Sequence, residues 1–188
     1  MGWHRSLLIG TFLPFCWLAM QAVHELGHVA AGLSTGGAVS KVVLHPLQIS
    51  RTDLAENPHA LIVAWTGPLV GITAPLGILV LFKFAKRPSW YLVQFFAGFC
   101  LIANGTYIGI GSFAGVGDAG DLINHGSPIW CLWVFGLLSV PLGLYLWNGL
   151  GSHFGLTGAY GEVSSQAAFA SCGLLTLIVI AELVFGGG

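Results

Sequence analysis

The stretch Val23-His24-Glu25-Leu26-Gly27-His28-Val29 places two histidines four positions apart inside a long apolar run. Positions four apart lie on one face of an α-helix, so the His24 and His28 imidazoles are spaced to bind one metal ion. Glu25 stands where metal hydrolases of this pattern have the general base that takes a proton from water. Histidine and glutamate are costly at membrane depth without a partner, which favours a metal site over a chance match.

The composition is typical of a polytopic membrane protein. Of the 188 residues, 55% are apolar and 7% are charged, and the mean hydropathy is +0.84; soluble domains average about 25% charged residues. The net charge of −1 gives no sign of a nucleic-acid partner, and we expect the lipid bilayer to surround the chain. The four cysteines form no CxxC pair, so they are expected to be buried apolar residues.

Apolar runs long enough to cross a bilayer occur five times along the sequence. We therefore predict an all-α polytopic membrane protein, with residues 1–188 forming a single membrane-embedded domain. Gly67 and Gly71 of the second span are expected to pack closely against the first span. Glu182, near the end of the last span, is expected to reach the membrane interface. The predicted spans are residues 7–33, 59–84, 90–110, 129–150 and 166–185.

Residues 38–58 are the one extended polar stretch in the first half of the chain. Partial alternation and β-branched residues predict two short strands, at residues 39–42 and 48–52, with Pro46 between them. We expect them to form a hairpin at the membrane surface over the metal site; the alternative is an irregular loop.

The basic residues predict an orientation in the membrane. In a five-span topology, four of the six lie on one side, and the positive-inside rule places that side in the cytoplasm. The N-terminus is then cytoplasmic and the C-terminus lies outside. The first side holds Arg5, Lys83, Lys86 and Arg87, and the second holds Lys41 and Arg51.

A third metal ligand is expected from the Gly-rich turn after the third span. Catalytic zinc usually takes three protein ligands and leaves one position for water. Asp118 is the first candidate, because the neighbouring Gly117 frees the backbone to bring a short side chain up to a metal. Asp121 is the second, although its residue type also fits a helix N-cap. His125 is the third, with a solvated surface histidine as its alternative.

These features together resemble the site-2 protease-like family of intramembrane zinc metalloproteases. The resemblance rests on the HExxH late in the first span, the β-like segment, Thr66-Gly67-Pro68 in the second span, and Gly117-Asp118 after the third. It covers about residues 7–125, the metalloprotease-like core, and residues 129–185 form two further spans.

The resemblance implies a zinc ion held by His24, His28 and Asp118, with Glu25 as the catalytic acid/base. The family commonly has Leu-Asp-Gly or Ser-Asp-Gly after an Asn-Pro-type turn. No Asn-Pro precedes Asp118 in this turn, and Asn104 lies well upstream. The departure leaves the third ligand open among the candidates of the Gly-rich turn.

The function that the resemblance implies is hydrolysis of peptide bonds in a membrane protein or peptide substrate. Two other functions fit the same residues. One is a catalytically inactive metal-binding membrane scaffold, and the other is a small transporter that relays metal ions or protons through histidine and aspartate. A transporter predicts inverted internal repeats, which the sequence does not show. The substrate, its cleavage site and the oligomeric state are not indicated by the sequence.

Overall fold

The fold is a bundle of long apolar helices, described by a computed structural model for residues 2–156 and 163–186. Within these residues, five helices are long and apolar enough to cross a membrane, which confirms the predicted all-α multi-pass architecture. A short helix lies between the third and fourth spans, and a 3-10 helix covers Leu150–Phe154. The helices are α1 (Trp3–Ser34), α2 (Ala60–Phe84), α3 (Trp90–Ala114), α4 (Gly117–Asn124), α5 (Ile129–Trp147) and α6 (Ser165–Phe185).

Helix α1 begins at Trp3, four residues before the predicted start, and the ends of α3 and α5 differ from the prediction for local reasons. Helix α3 runs four residues further than predicted and ends where Gly115 adopts a left-handed conformation (φ 62°). Helix α5 ends before residue 150, because Gly149 is left-handed (φ 79°) and starts the 3-10 helix. Phe154 of that 3-10 helix then packs against Phe12 of α1, so the turn belongs to a buried apolar cluster.

Glycines allow close backbone contact where the helices cross. A side chain at Gly27 of α1 would lie 2.6 Å from the backbone oxygen of Thr66, so α1 and α2 touch directly there. Gly67 faces the His28 ring of α1, as expected for close packing with the first span. Gly71 instead faces the Asn104 amide, because α2 at that level lies against α3.

The segment after α1 forms an antiparallel hairpin, as predicted. Its strands are β1 (Ala38–Val43) and β2 (Arg51–Glu56), and Val43 pairs with Arg51. The second strand begins later than the predicted residue 48. Ser50 takes no part in strand pairing, because its N–H donates to the Gln21 side chain of α1 at 2.9 Å.

The hairpin folds back along the helix bundle. Gln21, which accepts the hydrogen bond from Ser50, precedes the end of α1 by about 20 Å of helix rise. At the other end of the connection, the Leu44 N–H donates to the Gly186 carbonyl just after α6. The connection between the strands is therefore held beside α1 and α6, at the level of the HExxH stretch.

Glu182 lies within one turn of the end of α6 and is buried against the rest of the protein. Its side chain is only 6% exposed, and its Oε2 atom has no hydrogen-bond partner among the described residues. The Leu44–Gly186 hydrogen bond joins the end of α6 to the connection between the two strands, close to this turn of the helix.

Candidate metal centre

Three side-chain atoms converge between α1 and α4. The His24 Nε2 and His28 Nε2 atoms are 3.0 Å apart, and Asp118 Oδ2 lies 2.7 Å from the first and 3.3 Å from the second. The two histidines come from successive turns of α1, as their spacing predicts. Both are buried, at 7% and 6% exposure.

Hydrogen bonds on the far side of each ring fix the tautomers. The His24 Nδ1–H donates to Asn104 Oδ1 at 2.7 Å, and the His28 Nδ1–H donates to the Val63 carbonyl at 2.9 Å. The Asn104 amide is itself oriented, because its Nδ2 donates to the Cys100 carbonyl. With the protons on Nδ1, both Nε2 lone pairs point toward Asp118. This arrangement is found in metal sites where hydrogen bonds to Nδ1 orient the histidine ligands.

Of the three candidates in the Gly-rich segment, only Asp118 meets the two histidines. The segment after Gly115 is not a simple turn, since it forms α4. Asp121 lies inside α4, so it is not the helix N-cap that its residue type allows; that position belongs to Val116. The His125 ring bonds to the backbone oxygen of Asp121 at 2.7 Å and is exposed. Asp121 and His125 line the same cavity without joining the cluster.

The backbone at the start of α4 directs the Asp118 side chain toward the histidines. Gly117 adopts a positive φ of 55°, which disfavours other residues. A side chain at position 117 would also overlap the Tyr107 hydroxyl. That hydroxyl accepts a hydrogen bond from the Asp118 N–H at 3.2 Å, so α3 holds the start of α4 in place.

The three converging atoms require a positive charge between them. Burial alone would raise the pKa of the Asp118 carboxyl, but hydrogen bonds and positive charge from His24 and His28, in the form that carries Nε2 protons, outweigh it and hold that pKa well below the usual range. With both rings neutral and protonated on Nδ1, two Nε2 lone pairs face the carboxylate instead. Either imidazole protonation or a bound cation supplies the compensating charge.

The donor set fits a divalent metal. Two imidazoles and one carboxylate, with a further position left open, are the ligands of catalytic zinc sites, and zinc–ligand distances near 2.0–2.1 Å put tetrahedral ligand atoms about 3.3 Å apart. The observed separations of 2.7–3.3 Å approach that value. Mononuclear iron(II) uses the same donor set, so the ligands alone do not select zinc.

Glu25 faces the same cavity as the three candidate ligands, and it is 4% exposed. Both of its carboxylate oxygens accept hydrogen bonds from the hairpin. Ser50 Oγ donates to Oε1 and Thr52 Oγ1 donates to Oε2, each at 2.7 Å. The glutamate is thus fixed beside the candidate metal centre by a segment outside α1.

The cavity has a volume of about 800 Å³ and is bounded by α1, the hairpin, α2, α3 and α4. Its walls combine apolar side chains such as Trp17, Met20 and Ile49 with the polar groups of the cluster. A space of this size suits several residues of an extended peptide better than a single ion.

Sequence reasoning missed the residues that support the cluster. Asn104 carried a detectable signal, because an amide within an apolar span needs a buried partner. Gln21 of the first span carried the same signal. Ser50, Thr52 and Tyr107 gave none, since their roles depend on contacts between elements far apart in the chain.

Comparison of the chain with protein-family models, with curated proteins and with solved structures found no match.

Proposed function

We propose that the chain is an intramembrane zinc metallopeptidase, similar to the site-2 protease-like family, that hydrolyses peptide bonds of membrane proteins. One observation carries the proposal: His24, His28 and Asp118 converge within a cavity that also holds Glu25. A metal-only role has no need of a buried carboxylate beside the ligands, whereas hydrolysis requires a general base there.

Each of these residues has its own proposed role in hydrolysis. His24, His28 and Asp118 would hold the zinc ion, which would supply Lewis-acid polarisation of the carbonyl and a lowered pKa of water. Glu25 takes the proton from the attacking water and passes it to the leaving amine. Asn104 and the Val63 carbonyl keep both imidazoles in the ligand tautomer.

The position of the cavity along an apolar helix supports a membrane protein as the substrate. His24 lies about 30 Å along α1 from Trp3, within the apolar length of that helix. A transmembrane substrate presents its peptide bonds there as a helix whose amides are already paired, so it has to unwind locally before attack. The proposed substrate is therefore a transmembrane or membrane-adjacent segment whose helix unwinds easily.

The test combines zinc content with hydrolysis, using full-length protein in detergent and a quenched-fluorescent peptide library. We expect about one zinc per chain in the wild type, in Glu25→Gln and in Asp121→Asn. Asp118→Ala should lose the zinc. Cleavage should persist in Asp121→Asn, the matched control for a carboxylate in the same cavity, and vanish in Glu25→Gln.

Three results would separate the other functions. Zinc without any cleavage by the wild type favours the inactive scaffold. Metal that binds weakly and exchanges quickly favours transport. Cleavage by Glu25→Gln at the wild-type rate contradicts the proposed mechanism outright.

A further inference from the structure

The hairpin supplies every hydrogen bond that the described residues make to the Glu25 carboxylate. Ser50 lies just before β2 and Thr52 lies within it, so the two hydroxyls come from one short segment. They bind different oxygens of the carboxylate, each at 2.7 Å, the short distance expected when a hydroxyl donates to an ionised acceptor.

Two bonds to two oxygens restrict the carboxylate in a way that one bond cannot. A carboxylate on a glutamate side chain otherwise turns broadly about its last torsion. Fixing both oxygens fixes the plane of the group. Each oxygen still has a second lone pair, so the hydroxyls leave Glu25 able to accept a proton.

We infer that Ser50 and Thr52 are positioning residues that orient Glu25, so that hydrolysis depends on the hairpin being seated against α1. The inference rests on the proposed function. It assigns the hairpin a role inside the site, because the general base of α1 takes its orientation from β2.

The attachment of the hairpin allows hydrolysis to be regulated through the contact between the hairpin and α1. Besides the Glu25 contacts, the connection is tied by the Ser50–Gln21 and Leu44–Gly186 hydrogen bonds. Between these ties, Leu47 and Ile49 are 88% and 83% exposed. Ile49 and Thr52 also line the cavity, so a peptide that enters it meets the same segment that orients the base.

The kinetic test removes the two hydroxyls together in full-length, zinc-loaded protein. Ser50→Ala/Thr52→Val should lower kcat by about 10- to 100-fold, since small misplacements of a catalytic group cost this much. KM should stay within about twofold, because the truncation changes the orientation of the base more than the volume of the cavity. Zinc content should equal that of the wild type.

Two matched variants separate positioning from damage to the hairpin. Ser50→Thr/Thr52→Ser keeps both hydroxyls and should recover most of the wild-type kcat. Ser40→Ala removes a hydroxyl of the same hairpin that bonds only to the Asp53 carbonyl, and should leave kcat unchanged. An equal loss of kcat in Ser40→Ala, or no loss in the double variant, would overturn the inference.

A second readout needs no catalysis. In metal-free full-length protein, Ser50→Ala/Thr52→Val should lower Tm more in the wild-type background than in the Glu25→Ala background, because the contacts couple these residues. Equal shifts in both backgrounds overturn the inference. Failure of the proposed function gives a different result, namely no hydrolysis by the wild type while the coupling in Tm persists.

Discussion

Gly67 of α2 leaves the space that the His28 ring occupies. A methyl group at this position would overlap the imidazole, so Gly67→Ala has to displace His28 from the cluster. We expect the variant to bind zinc at least about tenfold more weakly than the wild type, measured by competition with a chelator. Gly77→Ala is the matched control on the same helix, because nothing lies within 4 Å of its added carbon. Equal zinc affinity for both variants would contradict the assigned contact.

Asn104 acts on the cluster through His24 alone. Its Oδ1 accepts the His24 Nδ1–H, and its removal frees the ring to change tautomer and rotate. Asn104→Ala should therefore weaken zinc binding by about 10- to 100-fold, the usual effect of removing an outer partner of a histidine ligand. Zinc titration with a chromophoric competitor measures this. Gln94→Ala removes another buried amide of α3, bonded to the Leu146 carbonyl, and should bind zinc like the wild type.

The candidate ligands on α1 were predictable because helical periodicity alone brings His24 and His28 to one face. Asp118 was the first choice among three, and the sequence could not decide among them. What decides is the left-handed Gly117 together with the Tyr107 hydroxyl, a contact between α3 and α4. Residue identity therefore indicated the candidate residues, whereas the choice of the one that meets the two histidines required tertiary structure.

Helix α6 carries a buried carboxylate with one oxygen that lacks a hydrogen-bond partner in the described structure. The Glu182 Oε2 atom has no partner, and leaving such a group unpaired costs about 1–3 kcal/mol. Glu182→Met keeps the volume and removes the polar atoms, so we expect a higher Tm in detergent. Glu56→Met is the control, because Glu56 is exposed at the end of β2 and its replacement should leave Tm nearly unchanged. A lower Tm for Glu182→Met would show that the carboxylate has a stabilising partner.

The long spans were predictable from apolar length, since a run of about 20 such residues has few other stable arrangements. Helix α4 was not predictable, because its glycines at positions 117 and 120 indicated a turn instead of a helix. Its stability comes from tertiary packing: Ala119 and Leu122 are fully buried against Ile108 and Leu132. The start of β2 was also missed, because Ser50 bonds to Gln21 rather than to the neighbouring strand.

At the scale of the whole molecule, the described residues contain an odd number of candidate spans. If each of them crosses the membrane fully, the two ends of the chain lie on opposite sides. The start of α1 lies at the same end as the segment after α5, because Arg5 donates to the Gly155 carbonyl. The α2–α3 turn lies at this end too, because Tyr91 at the start of α3 stacks on His153 of that segment. Four of the six basic residues lie at this end. The positive-inside rule therefore predicts a cytoplasmic N-terminus, and with it a candidate metal centre nearer the outer face.

Reporter fusions to the full-length chain in a bacterial host measure this orientation. We expect a fluorescent N-terminal green fluorescent protein and an active C-terminal alkaline phosphatase, which folds only outside the cytoplasm. Replacing Lys83, Lys86 and Arg87 with Ala should reduce the phosphatase signal, because the charge bias then falls from four against two to one against two. Lys41→Ala/Arg51→Ala removes basic residues from the other side and should leave the signal intact. Fluorescence from a C-terminal green fluorescent protein would place that end in the cytoplasm and reverse the assignment.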